Sequence, residues 1–142
     1  MNRKIIVGLV LVIGAFMTYL SRIPLAFERG AYWIRSYIPA GDLMAWFLFN
    51  LFYLGSLVPL GLFAFFYLRK TVKWTFHVAA LAHFTTTFFL YYNFEGKRAE
   101  DVISFILFPA IIGFVSFAAG AVVFFFEYFL GKNKTAAVES RR

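Results

Sequence analysis

The chain has 142 residues, 62% apolar, 23% aromatic and 15% charged, with a formal net charge of +7. Soluble domains run nearer half apolar and a quarter charged, so the composition points to lipid as the solvent, and 21 Phe rings exceed what one small water-facing domain can hide. Cysteine is absent, which excludes a disulfide framework, a thiolate metal site and thiol redox chemistry.

Four apolar runs are long enough to cross a hydrocarbon core, which takes roughly 20 helical residues. They cover residues 5–21, 43–68, 74–92 and 102–130, and the first acid inside any of them is Glu127. The first run follows Arg3 and Lys4 and is read as a retained helix, because Thr18-Tyr19-Leu20-Ser21-Arg22 offers no small-x-small cleavage site. With the N-terminus inside, nine basic and two acidic residues fall on the inner side and five of each on the outer side. The whole net charge then belongs to the cytoplasmic face, the bias that insertion energetics imposes. That face should attract anionic inner-leaflet lipid, and the basic balance carries no nucleic-acid reading. The predicted fold is an all-α membrane protein, a four-transmembrane-helix bundle with both termini inside. It forms a single integral membrane domain in a bacterial inner (cytoplasmic) membrane, with outer loops at 22–42 and 93–101 and a cytoplasmic tail at 131–142. Asp42 and Asp101 are placed to cap helix starts, and Gly131 to close the last helix.

The first outer loop is long for so small a chain. Phe27, Ala31, Ile34 and Ile38 keep helical spacing, so a short interfacial helix is expected there. Arg29, Tyr32, Trp33 and Arg35 form a candidate outer recognition surface; the plainer alternative is an anchor that caps the bundle. In the second run Asn50 and Ser56 are polar, and Pro59 interrupts the helix. Only residues 69–73 separate the second run from the third, which forces an antiparallel hairpin.

In the third run His83 falls midway between Trp74 and Tyr92, near the bilayer midplane, with Thr86 and Thr87 beside it. An imidazole at that depth needs a partner for its N–H, and Asn50 and Ser56 are the expected ones. Three roles stay open for it: helix glue, which is favoured, proton or substrate passage, and haem or metal ligation. His77 lies nearer the inner interface, too far along the axis to share a metal with His83.

The fourth run carries a seam, Pro109, Gly113, Ser116, Gly120, Val123 and Glu127, at alternating steps of four and three. Small residues at Gly113, Ser116 and Gly120 let helix backbones approach where lipid removes the hydrophobic drive. Glu127 is expected to pair with Arg3, Arg69, Lys70 or Lys73. The first run repeats the theme with Gly8, Leu11, Ala15 and Thr18.

No nucleophile–base pair, clustered carboxylates or internal repeat emerges, and no cofactor is implied. The expected function is that of a non-catalytic membrane interaction protein, an accessory subunit or protective factor acting on another membrane protein, with the bilayer and self-association as further partners. A small oligomeric channel or transporter is the alternative. In size, number of spans, inside termini and basic balance the chain also resembles immunity proteins that protect bacteria from pore-forming bacteriocins. The local likeness lies in Leu68-Arg69-Lys70 after the second run and Asn93-Phe94-Glu95 after the third. That resemblance implies a protective role.

Overall fold

The structure is a computed structural model that describes residues 2–20, 51, 53–94 and 102–139, with side chains at 2–18, 51, 53–90 and 107–131. Among these residues the chain is all helical: α1 (Arg3–Leu20), α2 (Val58–Leu68), α3 (Thr75–Phe94) and α4 (Val102–Glu139). The expected interfacial helix, its surface residues Arg29, Tyr32, Trp33 and Arg35, the caps Asp42 and Asp101, and Asn50 lie outside the described residues.

Local chemistry sets the helix ends. Asn2 starts α1, its Oδ1 accepting the Lys4 backbone N–H at 3.1 Å while its carbonyl accepts from Ile5 and Ile6. The second run is interrupted at Pro59, as a turn at residues 56–57 and not as a kink within a continuous helix. Pro59 sits in the first turn of α2, where its missing N–H costs nothing, behind a tight turn in which Leu57 donates to the Leu54 carbonyl. At the other end of α2, Lys70 donates to the Tyr67 carbonyl at 3.1 Å and Thr71 to the Phe66 carbonyl at 3.0 Å. This is a Schellman closure, and Lys70 fills its left-handed position at φ 61°, where glycine is usual. Gly131 does not stop α4 as expected. The helix continues to Glu139, taking up one glycine whose cost within a helix is about 1 kcal/mol. It also runs through Pro109.

Helix directions follow from the contacts. Gly14 of α1 meets Leu57 and Leu60, whereas Arg3 reaches Tyr67, so α1 and α2 are antiparallel. Gly113 faces Ser56 and Gly120 faces Phe63, so α4 runs parallel to α2. The longest packed interface is between α3 and α4. Near the 69–75 hairpin a core forms from Val7, Leu60, Phe63, Tyr67, Phe76 and Ala79, with Tyr67 stacked on Phe76 at 5.1 Å.

Beside this apolar core the described interior holds polar groups, and large apolar side chains cover the outside. Thr18, Ser56, Thr75, His83, Thr87 and Ser116 are buried, while Val12 (67% exposed), Val58 (67%), Leu81 (66%) and Phe114 (72%), one from each helix, point outward. One helical stretch, Leu107–Gly131, is long and apolar enough to cross a membrane among the described residues; Tyr53–Leu68 and Thr75–Leu90 are apolar but shorter.

The α4 seam lies on its inward face: Pro109, Ser116 and Gly120 are buried, and Gly113, Val123 and Glu127 are half-buried. Gly113 approaches backbone, with a Cβ built on it 3.7 Å from the Ser56 Cα. Gly120 instead receives the buried ring of Phe63, whose Cδ2 and Cζ would lie 2.7 Å from an added Cβ. The α1 seam differs from expectation. Gly8 faces outward with nothing near it, and the buried line is Val7, Gly14 and Thr18. Gly120→Leu should therefore lower the melting temperature through overpacking of about 1–3 kcal/mol. Phe125→Leu, at a 59% exposed position, should change it little, and adding Phe63→Leu should recover part of the Gly120→Leu loss. Equal melting of the two single variants contradicts this packing.

Candidate functional site

His83 is fully buried, and its two ring nitrogens face two different helices. Nε2 lies 3.1 Å from Thr18 Oγ1 on α1, and Nδ1 lies 3.4 Å from Ser116 Oγ on α4. Both hydroxyls already have an acceptor one turn back: Thr18 donates to the Gly14 carbonyl at 2.7 Å and Ser116 to the Ile112 carbonyl at 2.6 Å. Each hydroxyl oxygen therefore presents lone pairs to the imidazole. A neutral ring has one N–H, so one nitrogen donates to the hydroxyl facing it and the other is left as an acceptor. The hydroxyl facing the acceptor nitrogen then divides its single proton between that nitrogen and the carbonyl of its own helix. Below the ring, Thr87 donates to the His83 carbonyl at 2.8 Å and closes the patch on its own helix. The node ties α1, α3 and α4 together.

The partners differ from those expected. Ser56 is buried but donates to the Tyr53 carbonyl at 2.8 Å, so it serves the turn before α2 and not the imidazole. Thr18, noted in the sequence only as a small residue on the first run, is the residue that meets His83. His77, half-buried, sits edge-on to Tyr67 at 5.1 Å and near Trp74 at 6.1 Å. Among the described residues no group of three His, Asp or Glu side chains could hold a metal ion.

Glu127 forms the second polar centre, and its partners are not the expected cations. Its Oε1 accepts the backbone N–H of Trp74 at 2.6 Å and of Lys73 at 2.9 Å. Its Oε2 accepts the Thr75 hydroxyl at 2.8 Å and shares the Lys73 N–H at 3.2 Å. The carboxylate thus closes the N-terminal end of α3 from another helix, where the helix dipole favours negative charge. The signal in the sequence was the empty start of α3: Trp74 cannot cap, and no acid lies in the first turn. Arg3 does the opposite job at the C-terminal end of α2, donating to the Tyr67 carbonyl at 2.6 Å with its guanidinium 4.5 Å from the Tyr67 ring centroid.

No protein-family model, curated protein or solved structure matches this chain.

Glu127→Ala should strip the acceptor from two backbone donors and one hydroxyl, destabilising the fold by about 1–3 kcal/mol. Glu127→Gln keeps one acceptor oxygen and should fall between. Thermal melts in detergent check the order, and an Ala variant that melts with the wild type contradicts the clamp.

Proposed function

We propose that the chain is a four-span bundle of a bacterial cytoplasmic membrane, termini inside, that acts without chemistry of its own by contacting another membrane protein. The observation that carries this reading is the set of large apolar side chains that face outward on every described helix, while hydroxyls and an imidazole are buried inside. In water that surface would cost far more than the small core returns; in lipid it costs nothing, and the buried polar groups become the helix adhesive. Two of the three shorter helices also fit the reading: residues 43–50 precede Tyr53–Leu68 with an apolar run, and Thr75–Leu90 begins directly after the exposed Trp74, an interfacial anchor.

Action by contact is consistent with how the described interior polar groups are used. His83, Thr18, Thr87 and Ser116 bond to one another and to carbonyls of their own helices, which makes them an adhesive between helices. A protective role of the immunity kind is one form of such action by contact.

Small-channel or transport function is the second reading, because a ring placed between two hydroxyls is also a geometry along which a proton can step. Gln places an amide near the Nε2 position and keeps the Thr18 contact, while Asn places it near Nδ1 and keeps Ser116; neither titrates. In proteoliposomes wild type, His83→Gln and His83→Asn should be equally folded and equally silent in proton and ion flux. A flux that is present in the wild type and lost in well-folded amide variants replaces the interaction reading with transport.

A further inference from the structure

We infer that the α2–α3 hairpin, together with the start of α1, forms a headgroup site for anionic phospholipid of the cytoplasmic leaflet, held by Lys4, Lys70 and Lys73. The inference rests on the membrane reading above and names the partner of one end of the bundle. All three lysines are exposed. The contact of Arg3 with the Tyr67 carbonyl brings the N-terminal turn of α1, and with it Lys4, to the hairpin that carries the other two.

Three observations separate this cluster from an ordinary insertion bias. First, no described acid forms a direct ion pair with it. Glu127 is the one acid whose side chain is described, and its oxygens are occupied by the Lys73 and Trp74 amides and the Thr75 hydroxyl, so no described carboxylate pairs with the three ammonium groups. Second, the neighbouring cations have other work: Arg3 holds the end of α2, and the Arg69 guanidinium lies 4.1 Å from the Phe65 ring centroid. Third, Lys70 stands at φ 61°, a left-handed position that glycine takes without steric cost. A lysine held there against its backbone preference points to use of its side chain. Trp74, 67% exposed, adds an aromatic anchor at headgroup depth beside it.

The Lys70 position also supplies a test in which structure and binding move in opposite directions. Fluorescent phosphatidylglycerol is titrated into the full-length protein in maltoside micelles, with phosphatidylcholine and inorganic phosphate as comparisons. The wild type should prefer phosphatidylglycerol over phosphatidylcholine several-fold. Lys70→Gly should melt at a higher temperature in the absence of lipid yet lose about three- to five-fold of that preference, the scale of one cation at a membrane surface. Lys4→Gln and Lys73→Gln should lose comparable amounts, and Lys132→Gln with Lys134→Gln should keep the preference. Equal binding of the two lipids, an unchanged preference in the hairpin variants, or an equal loss in the 132/134 variant overturns the site. Displacement by low-millimolar phosphate also overturns it, in favour of a small-anion site. Alkaline carbonate extraction of native membranes keeps the two readings apart. A chain released by it fails the four-span reading itself, whereas a chain that stays embedded without anionic preference fails only this inference.

Discussion

An imidazole buried among apolar side chains has nowhere to place its N–H except on another helix, and in this chain that need organises the bundle. His83 spans from Thr18 to Ser116, so the central helix α3 is fixed in height and rotation against α1 and α4 at once. Ring packing alone does this poorly, because Phe and Leu side chains on an apolar helix slide past one another at little cost. Each contact is modest: interhelical hydrogen bonds in membranes average about 0.6 kcal/mol and reach roughly 1.7. Their worth is geometric. A slip of α1 along α3 takes the Thr18 hydroxyl away from the imidazole, whereas the hydroxyls keep their own-helix carbonyls in either register.

The opposite end of the bundle is organised by helix termini. The 69–75 hairpin brings the C-terminal end of α2 next to the N-terminal end of α3, so the negative end of one helix dipole and the positive end of the other lie side by side. Arg3, arriving from α1, serves the first, and Glu127, arriving from α4, serves the second. Charge complements dipole in both cases. The outer helices of the sequence thus each place one charged side chain on the short hairpin between the inner two. This arrangement also explains why one acid occurs in an otherwise uncharged run: at the position of Glu127 the demand for an acceptor comes from backbone, and a lysine or arginine partner is unnecessary.

The sequence made much of this legible and missed the partnerships. Apolar runs announced the helices, and steps of three and four announced the inward face of α4, because both follow from period alone. The burial of His83 could be anticipated from its depth within the third run. Its partners could not, since depth fixes height along the bundle and not which helix stands opposite; Ser56 shares the burial but faces its own turn. For Glu127 the depth was readable and the partner type was not, because opposite charge is the obvious pairing and the uncapped start of α3 is an easily overlooked vacancy. Gly131 misled as a stop signal because helix termination depends on the residues beyond a glycine as much as on the glycine itself. Gly120 was readable as a close-approach position, but that a ring and not a backbone fills the space depends on Phe63, a residue on another helix.

The central claim of the proposed function is that this bundle is built for a lipid exterior and crosses it repeatedly, with the hairpin, Glu127 and both termini on the cytoplasmic side. Topology reporters test it most directly: a fusion active only in the cytoplasm is placed after Lys134 and, separately, within residues 69–73, and one active only outside is placed after Arg98. The account predicts signal at all three positions. A silent fusion at Arg98, or a cytoplasmic reporter active there, would contradict it by leaving α3 and α4 on one side of the membrane.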